Sequence, residues 1–286
     1  MQELNSVVIR FSGDSGDGMQ LTGTQFSNTS ALMGNDIATF PDFPAEIRAP
    51  QGTVAGVSGF QVHIGSNEIN TPGDEPNVLV AMNPAALKAN LYAVEKAGTI
   101  ILNMDAFTDA NIKKAGYEVS PFDGKELEGF LVIKANITSL TTAALEDCEL
   151  DNKSKARCKN FFALGMTYYM FNREIDPTID WIKQKFAKKQ ILIDANITAL
   201  KAGRNFADTL EAIPNTFVVP KASIRPGKYR TINGNTGTAW GFIQAAEAAG
   251  LNLFLGSYPI TPATDILHEL AQHKNFGVKT FQAEDE

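Results

Sequence analysis

Residues 77–105 constrain the fold of this 286-residue chain more tightly than any other stretch. They read NVLVAMN, PAALKANLYAVEKAG and TIILNMD, two short apolar runs flanking a longer amphipathic segment. Apolar runs without alternation are the mark of strands buried on both faces. Segment 84–98 is then a crossover helix, with Pro84 in its first turn and Gly98 at its end. A strand–helix–strand unit of this length implies a parallel sheet with right-handed connections. VVIRF (7–11) supplies another strand, followed by the glycine loop SGDSGDG and a helix from Met19 to Met33. FQVHI (60–64) alternates as a half-buried strand does, and LVIKANIT (131–138) extends the sheet.

From Lys155 to about Leu210 the pattern turns helical. CKNFFALGMTYYMF (158–171) is apolar nearly all round, as a buried helix is. DPTIDWIKQKFAKK (176–189) is amphipathic, with Asp176 as N-cap and Pro177 at the first helical position. PNTFVVPKASIRPGKYRTINGN (214–235) carries three prolines and no clear period, and reads as an extended linker. After it TAWGFIQAAEAAG (238–250) is helix-like, while LNLFLG (251–256) and VKTFQAE (278–284) are strand-like. The expected organisation is an α/β chain in two parts. A Rossmann-like domain with a helical C-terminal part covers 1–213, a linker covers 214–233, and a second α/β domain begins at 234 and runs to 286. Helix, strand, helix and strand do not cover both faces of a parallel sheet, so the second domain is expected to be the start of a larger one or to need a large partner.

Composition narrows the function. The net charge of -7 argues against a nucleic-acid grip, which needs a basic face. No apolar run approaches the ~18–20 residues that span a bilayer, and the start, MQELNSVVIRF, lacks the pattern of an export signal. A soluble, cytoplasmic protein without membrane or nucleic-acid partners is the expectation. Two cysteines, Cys148 and Cys158, are too few for a disulfide framework or a cluster of four metal ligands, and read as reduced thiols. His63, His268 and His273 show no H-x-x-x-H spacing, so no metal site is expected on this chain.

Three stretches are candidates for chemistry. In GDSGDG, Gly13, Gly16 and Gly18 follow a first strand, where glycines let the backbone turn sharply and approach a phosphate. The order is G-x-x-G-x-G, neither the dinucleotide fingerprint nor a P-loop, and Asp14 and Asp17 stand where a phosphate is disfavoured. A phosphate cradle and a plain tight turn both remain open, as do a ligand contact and a surface ion pair for Glu46 and Arg48 in FPDFPAEIRAPQGT (40–53).

In GSYPITPATDILHEL (256–270), proline pushes Tyr258 and Thr261 towards extended backbone. Pro262 suits the first turn of a helix, Thr261 its N-cap, and Ile266, Leu267, Leu270 and Ala271 the buried stripe behind. Such a corner, at the carboxyl end of a parallel strand, presents an anion with free N–H groups and a hydroxyl. Thr261 either caps the helix or orients a carboxylate or keto oxygen. FQAEDE places Glu284, Asp285 and Glu286 after a strand, as an exposed acidic turn or with Glu284 half-buried and its pKa raised.

The run from GNTGTAWGF through GSYPITPATDILHEL to FQAEDE resembles the start of the thiamine-diphosphate pyrimidine-binding domain of 2-oxoacid:ferredoxin oxidoreductases. Y-P-I-T-P is a signature of that family. RFSGDSGDG, FPDFPAEIRAPQG and NITALKAG (196–203) resemble the family's γ domain, and the γ-before-α order resembles the two-subunit 2-oxoglutarate enzymes. The resemblance implies a γ-type domain over 1–213 and a subunit of an enzyme that converts a 2-oxoacid and coenzyme A to acyl-CoA and carbon dioxide while reducing ferredoxin. It implies Glu284 as the carboxylate on the aminopyrimidine of thiamine diphosphate, and Thr261, with Tyr258, as substrate-binding. It makes Arg48, Gly13, Gly16 and Gly18 candidates for coenzyme A. The iron–sulfur cluster, magnesium and the diphosphate-binding domain are implied to belong to a separate β subunit that shares the thiamine diphosphate.

The family's α region continues past Glu286, so the chain resembles a truncated subunit, expected alone neither to bind thiamine diphosphate tightly nor to turn over. Pyruvate or a branched-chain 2-oxoacid is the alternative substrate. A non-catalytic γ-like module binding coenzyme A or a nucleotide is the alternative function.

Overall fold

The computed structural model describes residues 1–14, 16–43, 56–209, 213 and 216–285. Glu46, Arg48 and Glu286 therefore lie outside the described residues. The chain divides into two compact units, Met1–Arg225 and Pro226–Glu286.

The first unit opens with β1 (Gln2–Glu3), β2 (Ser6–Asp14), α1 (Met19–Leu32), β3 (Asp36–Asp42), β4 (Val57–Gly65) and β5 (Val78–Ala81). It continues through α2 (Pro84–Asn90), β6 (Thr99–Asn103), α3 (Asp109–Lys114), β7 (Leu131–Ala135) and α4 (Ile137–Ala144). The helical part is α5 (Asn152–Arg157), α6 (Lys159–Met170), α7 (Asp176–Lys185) and α8 (Gln190–Thr209), closed by β8 (Phe217–Val218). Six strands form one sheet in the order β3-β4-β2-β5-β6-β7. β2, β5, β6 and β7 run parallel, and β4 is antiparallel to both β2 and β3. The sheet is thus mixed where a parallel one was expected.

Burial on both faces explains the unbroken apolar runs. Val78, Val80 and Ile101 point into a core shared with Phe26 of α1 and Phe162 and Leu164 of α6. Leu79, Ala81, Ile100 and Leu102 point the other way, against Ala86 and Leu87 of α2 and Ile112 of α3. Alternation in FQVHI is misleading for a related reason. Gln61 is buried because its amide donates to Pro72 O at 3.0 Å and Gly73 O at 2.6 Å, on the loop crossing that face.

Some local expectations shift. The crossover helix ends at Asn90, a 3-10 turn follows over Leu91–Ala93, and Gly98 belongs to the turn entering β6. Asn83 caps α2 by accepting from Ala86 N at 2.8 Å. Asp176 is the first residue of α7 and Ile175 occupies its N-cap, because Ile175 O already accepts from Ile179 N. The expected linker is partly claimed by the first unit. Phe217 and Val218 pair with Gln2 and Glu3, and the Asn35 amide donates to Val219 O at 3.1 Å and Pro220 O at 2.7 Å. Arg173, 1% exposed, orients that amide by donating to Asn35 Oδ1 at 2.6 Å.

α6 and α8 meet through glycine. A Cβ on Gly165 would stand 2.1 Å from Leu200 O, and one on Gly203 would stand 2.0 Å from Phe162 O. Only hydrogen fits between those backbones, so NITALKAG serves helix packing.

The second unit contains α9 (Gly234–Ala249), β9 (Phe254–Ser257), α10 (Thr264–Ala271) and β10 (Lys279–Gln282). β9 and β10 are parallel neighbours, Phe254 opposite Lys279 and Ser257 opposite Gln282. Ala239 and Ile243 of α9 and Leu270 of α10 share one cluster with Leu255. Across the sheet Phe254 and Phe281 remain 64% and 59% exposed.

Gly165→Ala or Gly203→Ala is expected to lower the stability of the first unit by about 3 kcal/mol, the upper range for overpacking. Gly241→Ala is the control: its Cβ meets nothing within 4 Å on an exposed turn of α9. That change should stabilise by up to about 1 kcal/mol through helix propensity. Urea unfolding of the three variants measures both effects.

Candidate functional site

The sequence places Tyr258, Thr261 and Glu284 on two separate stretches, and the second unit brings them to one edge. β9 ends at Ser257 and β10 at Gln282, in register, and the ladder continues one step through Ala283 N donating to Ser257 O at 2.8 Å. Tyr258 and Glu284 are therefore the residues that leave the carboxyl ends of adjacent parallel strands, where open α/β sheets bind ligands. Tyr258 is half-buried, while Thr261 and Glu284 are exposed. Asp285, the last described residue, is exposed as well.

The corner itself differs from expectation. α10 starts at Thr264, its N-cap position is Ala263, and no side chain caps it. Residues 261–263 form a turn instead, and the Thr261–Pro262 peptide bond is cis. Thr264 supplies the polar closure: its Oγ1 accepts from Ile260 N at 2.8 Å and donates to Ile260 O at 3.0 Å. The Thr261 hydroxyl is thus not spent on a helix cap. The buried stripe behind is formed by Leu267 and Leu270, with Ile266 and Ala271 partly buried.

Two further residues shape this edge. Asn233 caps α9 by accepting from Thr236 N at 2.8 Å, and Asn235 Nδ2 donates to Pro262 O at 3.0 Å. The start of α9 is thereby pinned to the cis turn. Sequence reasoning missed Asn235, and its only signal was an asparagine in the first turn of a helix, where a polar side chain reaches neighbouring backbone. α9 and α10 are joined by Trp240 Nε1 donating to Glu269 at 2.8 Å. A hydrogen bond from His273, then that from Trp240, holds the Glu269 carboxyl below the usual range.

The glycine loop lies in the first unit. Gly13 is inside β2, Gly18 is the left-handed N-cap of α1 with φ 75°, and Gly16 lies in the turn between them. Asp17 folds back on the loop. One carboxylate oxygen accepts from Asp14 N at 2.9 Å and the other pairs with Lys159 Nζ at 2.8 Å. Asn83 Nδ2 donates to Asp14 Oδ1 at 2.9 Å. Lys159, at the start of α6, had no sequence signal linking it to this loop.

Cys148 is half-buried and Cys158 buried, both as free thiols, and burial pushes the Cys158 thiol up to about 11. Among the described residues no group of three or more His, Cys, Asp or Glu side chains is placed to hold a metal ion. No helix among them is long and apolar enough to cross a membrane.

Comparison with known proteins places the molecule. Residues 8–206 match the family model for pyruvate ferredoxin/flavodoxin oxidoreductase. The chain is 53% identical over 285 residues to the 2-oxoglutarate oxidoreductase subunit KorA of Mycobacterium tuberculosis, covering 100% of this chain and 44% of that protein. Among solved structures it resembles the 2-oxoglutarate:ferredoxin oxidoreductase from Magnetococcus marinus, which has 2-oxoglutarate, coenzyme A and succinyl-CoA bound. That match has a TM-score of 0.72 at 25% identity and covers 99% of this chain and 44% of the other. The chain spans less than half the length of these relatives. With its model matched across most of the first unit, this chain belongs to the pyruvate ferredoxin/flavodoxin oxidoreductase family.

Proposed function

We propose that the chain is part of a 2-oxoglutarate:ferredoxin oxidoreductase subunit, in which a γ-type domain precedes the start of a pyrimidine-binding domain. The assembled enzyme oxidatively decarboxylates 2-oxoglutarate, transfers the succinyl group to coenzyme A and passes electrons to ferredoxin. The observation that carries this reading is the convergence of the Tyr258–Pro262 turn and Glu284 at the adjoining carboxyl ends of β9 and β10. The substrate named for both relatives supports 2-oxoglutarate over pyruvate or a branched-chain acid.

The residues at this edge fit the pyrimidine end of thiamine diphosphate. Glu284 offers an exposed carboxylate to a ring nitrogen, and holds or shares the proton there, as general acid–base work requires. The bound cofactor supplies an electron sink for the carbon that loses carbon dioxide. Thr261, with its hydroxyl outside the helix cap, donates to the substrate's carboxylate or keto oxygen, and Tyr258 walls the same corner. We assign the diphosphate end, with magnesium and the iron–sulfur cluster, to a β subunit, as the resemblance implies. The bare face carrying Phe254 and Phe281 belongs, in this reading, against further elements of the same domain.

Two outcomes are expected of the full-length subunit with its β partner. Glu284→Gln should lower kcat about 10²–10⁴-fold, the range of an acid–base group, without changing the KM for coenzyme A. Thr261→Ala should lower kcat/KM for 2-oxoglutarate about 10–100-fold, the loss of one hydrogen bond to a charged group. Dye-linked 2-oxoglutarate oxidation measures both, and wild-type rates in both variants would refute the assignment. Residues 1–286 alone are expected to show no such oxidation, because half of the proposed site lies elsewhere.

A further inference from the structure

We propose that Arg173 holds a small monovalent anion, of the halide class, in the core of the first unit.

The end of α6 commits this side chain to the interior. Asn172 takes a left-handed φ of 48°, with Asn172 N donating to Tyr169 O at 3.1 Å and Arg173 N to Tyr168 O at 2.7 Å. That pair of bonds is the Schellman closure of a helix, in which the residue after the left-handed position packs back on the last turn. Arg204 Nη1 donates to Arg173 O at 3.0 Å, so α8 fixes the same backbone as well.

The guanidinium is only half used. Nη1 donates to Asn35 Oδ1 at 2.6 Å and lies 3.5 Å from Met33 Sδ, and Cζ lies 5.9 Å from the centre of the Phe26 ring. Nε and Nη2 are enclosed and have no hydrogen-bond partner. These two nitrogens form one side of the guanidinium, a fork whose N–H bonds converge on one anion. Ser30 Oγ is a third buried donor without a partner. Ser30 follows Phe26 by four residues and precedes Met33 by three, so it shares one stripe of α1 with the two residues that meet the guanidinium. Its carbonyl accepts at 3.1 Å from the backbone N–H of Asn35, the residue that Arg173 holds.

Charge decides the kind of ligand. Burial pushes the Arg173 pKa down to about 10, which leaves it cationic at neutral pH. Among the described residues, no ion pair includes it. Tyr168 does not supply the negative charge. Burial pushes its phenol up to about 12, and its oxygen is engaged with Thr29, Thr178 and Gln25 O. A buried cation without a counter-charge is strongly destabilising. Water would satisfy the N–H groups and leave the charge, whereas an anion answers both. Enclosure of all three donors favours a monatomic ion over a phosphate or a larger carboxylate. The ion neutralises the cation that orients the Asn35 amide against Val219 O and Pro220 O.

Bromide is the probe for the site. Crystals of the full-length subunit, assembled with its partner and grown in sodium bromide without chloride, are expected to show an anomalous peak in contact with Nε and Nη2. In solution, a roughly hundredfold rise in chloride, with gluconate holding the ionic strength constant, should raise the Tm by about 3–6 °C. Arg173→Met should remove that chloride dependence. If this variant does not fold, the bromide peak in the wild type decides. A water without anomalous signal at the fork, a carboxylate of the assembled enzyme seated there, or a wild-type Tm that ignores chloride would each overturn the proposal. So would a chloride response kept in full by Arg173→Met.

Discussion

Parallel strands are stable where helices shield both of their faces, because their backbone ladders are buried and their connections must cross over. The first unit meets this requirement around β5 and β6, whose successive residues point alternately into two separate cores. Much else follows from it. α6 must lie deep against one face, α8 must back it at glycine distance, and the loop after β2 must accommodate the start of α6. In the second unit the same requirement is half met. Both helices share a cluster with the inner face of β9, while Phe254 and Phe281 look outward.

That contrast bears on how the functional edge is built. At the carboxyl edge of the first unit, Asp17, Asn83, Asn103 and Asp105 accept from the backbone N–H groups of Asp14, Ala86, Thr138 and Ser139. At the corresponding edge of the second unit, Thr261 and Glu284 are exposed. Groups left exposed at a strand's carboxyl end are available to a ligand, whereas groups paired with each other hold a fold together. The proposed acid–base role falls to Glu284, on the exposed edge of the second unit.

Much of this was legible in the sequence because it depends on local patterning. The buried strands at 78–81 and 99–103, the apolar α6 and the strand–turn–helix corner after β9 all announce themselves through apolar runs and proline placement. What remained hidden depends on partners distant in sequence. FQVHI looked half-buried because its polar alternation gave no hint of the loop that covers Gln61. Thr261 looked like an N-cap because the competing Thr264 hydroxyl, closing back on Ile260, has the same chemistry three residues later. The glycine loop allowed a phosphate cradle or a plain tight turn, because spacing shows where glycines stand and not what lies beside them. Asp17 lies beside Gly13 and Asn160 beside Gly18.

The central claim is that the carboxylate at the end of β10 acts on the pyrimidine of thiamine diphosphate. Exchange of the cofactor's C2 proton with deuterium, followed by NMR in the assembled enzyme without 2-oxoacid, isolates that step from substrate binding and electron transfer. Glu284→Gln is expected to slow this exchange by about 10²-fold or more while the enzyme retains its cofactor. Exchange at the wild-type rate in that variant would contradict the account.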